Sequence, residues 1–153
     1  DKAGWNTLLP AGRARAIACC TDVKTIVAQV AEVSVENNKI RVHKITAAVD
    51  PGLVVNPDGC IAQTQGSIVM GLSSTLLERI TIKDSQIEAN NFDLYPLLTL
   101  RDTPEISVTL LESGEEPFGM GEPPLGPVAA AVANAVFALT GERLRTLPLE
   151  LPA

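Results

Sequence analysis

Residues 26–36 and 39–49 form two alternating runs that meet at Asn37-Asn38, and this constrains the fold more than any other feature. Asn tolerates positive φ, so the pair suits a two-residue turn between antiparallel strands. The turn predicts the pairs Glu36/Lys39, Val35/Ile40, Ser34/Arg41, Val33/Val42 and Glu32/His43. Val33, Val35, Ile40 and Val42 then share one face. Glu32, Glu36, Arg41 and His43 share the other, with opposite charges paired. Further from the turn, Val30 and Ile45 fall on the charged face, which burial of both sheet faces would explain.

Other elements follow from local signals. Residues 14–20 read as a short strand, and Asp50-Pro51-Gly52 ends the hairpin. Asn56-Pro57 is an N-cap followed by a first helical residue. It predicts a helix to about Glu78, with Ile61, Ile68, Leu72 and Leu76 on one stripe. Gly66 and Gly71 lie inside that helix, each costing about 1 kcal/mol relative to Ala. Such costs suggest that a backbone or ligand approaches closely. Residues 80–83 and 86–89 read as a second hairpin over Asp84-Ser85, residues 90–104 as irregular, and residues 105–112 as a strand with Ile106, Val108 and Leu110 inward. Pro127 and Gly141 punctuate an alanine-rich helix, and residues 143–147 read as a last strand. The mixed order argues an α+β fold with a mixed sheet, a β-hairpin and two principal helices, near 57–78 and 127–140.

The 153 residues fit one domain, 1–153. Aromatic residues are 3% and the net charge is −6. Base-stacking platforms and a phosphate-backbone partner are therefore disfavoured. No signal peptide or membrane span stands out. Cys19, Cys20 and Cys60 match no metal-ligand spacing and read as small buried hydrophobes.

The stretch Gly119-Met120-Gly121-Glu122-Pro123-Pro124-Leu125 holds one carboxylate on a glycine loop stiffened by two prolines. Glu122 is either a capping or solvated carboxylate, or a general base, which needs a fixed position and a tuned pKa. Gln63, with Gly66 at i+3, is either a surface glutamine or an amide reading a heterocycle's polar edge beside a glycine notch. The N-terminus of the last helix is a weak anion candidate. His43 reads as a cross-strand partner of Glu32, and no Ser/His or Cys/His constellation is visible.

The run from Gly119 to Pro124, then Pro127, residues 129–135, Thr140-Gly141 and Arg143-Leu144-Arg145 resembles the C-terminal signature of the molybdenum hydroxylases, which include xanthine dehydrogenases and aldehyde oxidases. Residues 48–52, Val55-Asn56-Pro57, Gln63-Thr64-Gln65-Gly66, Gly71-Leu72 and residues 28–33 agree in order, nearest to the large subunit of the isoquinoline 1-oxidoreductase type. The resemblance implies the C-terminal molybdopterin-binding segment of a larger subunit. The implied cofactor is molybdopterin cytosine dinucleotide with molybdenum, and the implied reaction hydroxylates an aldehyde or N-heterocycle with water as the oxygen source. It places the family's base glutamate on Glu122 and its pterin-side glutamine on Gln63, with Gly66 and Gly121 beside the cofactor and no metal ligand from this chain. Gln65 stands where the family often has Glu. Implied partners are the rest of the large subunit and a small [2Fe-2S] subunit, so the chain alone is expected to be inactive. The alternative is a non-catalytic α+β binding or assembly module.

Overall fold

The computed structural model describes residues 2–152. Its framework is a four-stranded sheet of β1 (Arg13–Asp22), β2 (Thr25–Glu36), β3 (Lys39–Asp50) and, after intervening elements, β6 (Glu105–Leu110), in the order β1-β2-β3-β6. The first three strands are antiparallel neighbours, and β6 runs parallel to β3. The long helix α1 (Pro57–Leu76) and the shorter α2 (Val128–Thr140) cover one face. An exposed hairpin of β4 (Ile82–Lys83) and β5 (Gln86–Ile87) forms its own two-stranded sheet. The fold is α+β, as the order of elements predicts.

Local chemistry explains the turns and caps. Asn37 and Asn38 take φ of 52° and 58°, and Asp84 and Ser85 take 50° and 62°, so both expected two-residue turns form in the left-handed region. Asn56 caps α1 through its side chain, which accepts from Gly59 N at 3.0 Å. Gly141 ends α2 at φ 77°, its N–H donating to Phe137 O.

The hairpin register is as expected from Glu36/Lys39 to Val33/Val42, and then it slips. Glu32 lies opposite Lys44, not His43, because His43 is an extra residue at a bulge in β3. One inserted residue switches which side chains face the helices. Val42 is on the core face before the bulge; Ile45, Ala47 and Val49 are on it afterwards, all nearly or fully buried. This corrects both the pairing of His43 with Glu32 and the placing of Ile45 on the charged face. His43 Nε2 instead shares a 2.8 Å hydrogen bond with Ser34 Oγ, and Glu32 accepts from Arg13 at 2.8 Å. Val30 does face away from the helices, half-buried opposite Thr46.

The core is aliphatic. Val27, Ala31, Val33, Ile45, Ile68 and Leu72 meet Val128, Ala131, Val132, Ala135 and Val136 of α2. These α2 positions recur at helical spacing, so one stripe of that helix is buried. The stretch Pro123–Thr140 is apolar and long enough to cross a membrane by length and composition, but that stripe sits in the core. Beside Ile68 and Leu72, α1 also buries small polar side chains: Thr64, Ser67, Ser73 and Thr75. Gly71 explains how α1 comes so close to its neighbours, since an added Cβ would stand 2.9 Å from Val128 Cγ2. The strand expected at 143–147 does not form. Arg143 stacks on the Phe137 ring at 3.7 Å, and Leu149 N donates to Thr75 O at 2.7 Å. The segment is thereby drawn to the two helices rather than to a sheet edge.

Candidate functional site

The loop before α2 joins no strand ladder, so its backbone polar groups need other partners. Phe118 N donates to Pro51 O at 2.8 Å, and Leu53 N donates to Glu115 O at 3.0 Å. Gly52, at φ 72°, is required at that junction because a Cβ would collide with the Glu116 carbonyl. Further along, side chains take over. Thr25 Oγ1 donates to Gly119 O at 2.6 Å, and Ser67 Oγ donates to Gly121 O at 2.8 Å. Cys20 Sγ lies 3.3 Å from Pro123 O, and Gln29 Nε2 donates to Pro124 O at 2.5 Å. The turn between β1 and β2 adds packing: Val23 touches Gly119, where a Cβ would meet it at 2.8 Å, and Lys24 Nζ sits 5.3 Å from the Phe118 ring centre.

Glu122 is exposed at the start of a short 3-10 turn, Pro123–Leu125, whose two prolines are buried. Its side chain makes no capping hydrogen bond, so the capping reading finds no support. Gln63 is brought to the same place, donating from Nε2 to Gly121 O at 3.2 Å. Its amide retains an oxygen and a second N–H. Among the described residues, nothing beyond their own chain neighbours and helix backbone lies within 4 Å of the position a Cβ would take at Gly66 or Gly121. Thus Gly66 and Gly71 of α1 differ: Gly71 serves packing, whereas Gly66 lies on an open face. These open glycines and the spare amide valences fit the edge of a flat, polar ligand such as a pterin.

A cleft of about 280 Å³ opens beside this site, between the first turn of α1 and the loop. Gln63, Cys60, Phe118 and Met120 line it; Glu122, Gly121 and Gly66 do not. A larger hollow of about 580 Å³, walled by Arg41, His43, Leu76 and Arg101, includes none of the candidate residues. Among the described residues, no three His, Cys, Asp or Glu side chains converge. The helix terminus named as an anion candidate begins inside the fold, with Pro127 and Val128 buried.

The reading of the cysteines as buried needs correction. Cys19 is exposed, while Cys20 and Cys60 are half-buried. Alternation in β1 turns Cys19 away from the helices and Cys20 toward the loop. Burial, then the nearby Asp22 carboxylate and Cys19, pushes the Cys20 thiol up, which keeps it protonated at neutral pH. Sequence reasoning missed Thr25, Gln29 and Ser67 as supports of the loop. A signal existed for Gln29, a lone amide at a core-facing position between Val27 and Ala31.

Residues 18–104 match the molybdopterin cofactor-binding domain. The chain belongs to this molybdenum hydroxylase family. The match holds Gln63 and Gly66 with the supports Cys20, Thr25, Gln29 and Ser67, and ends before Gly121 and Glu122. Family members similar to this chain are oxidoreductases. It is 40% identical over 122 residues to the membrane-bound aldehyde dehydrogenase [pyrroloquinoline-quinone] of Gluconacetobacter polyoxogenes, covering 78% of this chain and 16% of that protein. It is 37% identical over 112 residues to isoquinoline 1-oxidoreductase subunit beta of Brevundimonas diminuta, covering 73% and 14%. The crystal structure of quinoline 2-oxidoreductase from Pseudomonas putida 86 superposes with a TM-score of 0.75 at 27% identity, over 81% of this chain and 17% of that one. The chain thus corresponds to a small part of each of these proteins.

Proposed function

We propose that this chain forms one wall of the molybdopterin site in a larger molybdenum-dependent hydroxylase, with Glu122 as its general base. When bound, the cofactor supplies the redox centre that takes up two electrons from the substrate. Gln63 reads a polar edge of the pterin with its spare amide valences, and Gly66 and Gly121 let the ring system approach the backbone. Glu122 accepts, at a carboxylate oxygen, the proton of the water-derived oxygen that adds to an electron-poor carbon. The observation that carries this reading is the meeting of Gln63 with the Glu122 loop at Gly121 O, 58 residues away in sequence. An aldehyde or N-heterocycle is the substrate class, as the names of the relatives suggest. The cofactor is the cytosine dinucleotide form, and electrons leave through a separate small [2Fe-2S] subunit. Residues 1–153 act as a single domain that needs the remainder of the large subunit, and alone they are inactive.

One relative's name carries pyrroloquinoline-quinone, a different cofactor. Molybdenum and pterin analysis of the full-length protein decides between the two. For the base, Glu122→Gln preserves shape but cannot take the proton. Turnover should fall by roughly 100- to 10,000-fold with cofactor content intact. Near-normal turnover at full loading would instead reject the base assignment and favour a non-catalytic reading of this loop, which draws on the exposure of Glu122.

A further inference from the structure

We propose that Gln29 is a positioning residue for Glu122, acting through the loop backbone together with Thr25 and Ser67; this rests on the general-base reading above. Glu122 makes no capping hydrogen bond, so its own side chain does little to fix where the carboxylate sits. Its backbone must do so. The two residues after it are prolines, which have no N–H to donate. The proline pair can be hydrogen-bonded in place only through its carbonyl oxygens, and the glycine stretch before it is also held at carbonyl oxygens. Three buried side chains do this on both sides of Glu122: Thr25 at Gly119 O, Ser67 at Gly121 O and Gln29 at Pro124 O.

Gln29 is the member least explained by packing. It is 0% exposed, and its Oε1 has no hydrogen-bond partner among the described residues. The amide cannot be reversed, because Oε1 would then face the Pro124 carbonyl oxygen. A methionine of similar length would fill the space and remove the unpaired Oε1, at the cost of leaving the Pro124 carbonyl without its donor, so packing alone gives no reason for an amide here. The bond to Pro124 O does give one. Proton transfer tolerates little misplacement, and a shift of about 1 Å costs roughly 100-fold in rate.

The test uses the full-length enzyme with its cofactor. Gln29→Met should lower kcat about 10- to 100-fold with KM and cofactor content nearly unchanged. Amide exchange at Leu125 and Gly126, which donate to Glu122 O and Pro123 O, should speed up. Thr25→Val should act in the same direction, and Thr25→Ser, which keeps the hydroxyl, should restore turnover. The double variant Gln29→Met/Glu122→Gln should be no slower than Glu122→Gln alone, because both changes act on one proton transfer. Unchanged kcat in Gln29→Met, or an additive loss in the double variant, overturns the proposal. If Gln29→Met fails to fold, the Thr25 pair decides: equal turnover in Thr25→Val and Thr25→Ser overturns it. Normal turnover in Glu122→Gln would defeat the general-base reading and the catalytic role of Gln29 with it. Unchanged exchange at Leu125 and Gly126 in Gln29→Met would defeat the clamp itself.

Discussion

At the scale of single residues, Gly66 and Gly71 of α1 predict opposite outcomes for the same substitution. Gly66 faces open space in a helix, so Gly66→Ala should stabilise the protein by about 1 kcal/mol. Thermal unfolding should then rise by roughly 2–4 °C. The same methyl should weaken cofactor retention in the full-length enzyme, as measured by molybdenum content, if Gly66 lies against the pterin. Gly71→Ala should lower the unfolding temperature, because its Cβ would press on Val128 Cγ2 and overpacking costs about 1–3 kcal/mol. His43 makes a separate prediction. Burial, then Arg13 and Arg41, lowers its pKa below the ordinary 6.5, against the weaker pull of Glu32 and Glu36. Between the lowered value and 6.5 the unfolded chain binds more protons than the folded one, so stability rises with pH through that window. The stability is complete above about pH 6.5 and declines as pH falls. Denaturant titrations from pH 8 down to 5 should show a steeper loss in the native protein than in His43→Gln.

At the scale of elements, the turn between β1 and β2 is the least expected feature. Val23 and Lys24 occupy its two central positions at φ of 40° and 69°. A β-branched residue there is an outlier, which is why composition gave no hint of a turn. Asn at position 23 tolerates that conformation, and the left-handed region costs an ordinary residue about 1–2 kcal/mol. Val23→Asn should therefore raise the unfolding temperature by a few degrees in a calorimetric scan. Because Val23 packs on Gly119, faster amide exchange around residue 119 should accompany the gain. The bulge in β3 shows the same dependence on neighbours. One extra residue at His43 lets β3 carry Val42 and then Ile45, Ala47 and Val49 to the helices. A straight ladder would have turned the last three to the opposite face.

At the scale of the whole molecule, the candidate residues lie along one edge, with Glu122, Gly66 and Gly121 open and no three metal-ligating side chains converging among the described residues. The isolated chain should accordingly carry no stoichiometric molybdenum by metal analysis, whereas the full-length protein should. Features set within a few residues were legible from sequence: the Asn37-Asn38 and Asp84-Ser85 turns, the Asn56 cap, the Gly141 stop and both helices. Turn and cap energetics depend on adjacent side chains and φ values, so a short window holds the needed information. The resemblance of residues 119–145 to the molybdenum hydroxylases likewise needed no coordinates. Tertiary structure decided the bulge at His43, the parallel pairing of β6 with β3, and the opposite roles of Gly66 and Gly71. It also decided what holds the Glu122 loop, because Cys20 and Pro123 are 103 residues apart and Gln29 and Pro124 are 95 apart. A carbonyl's partner at that separation is chosen by how the sheet and helices pack, and no local pattern in the chain encodes that choice.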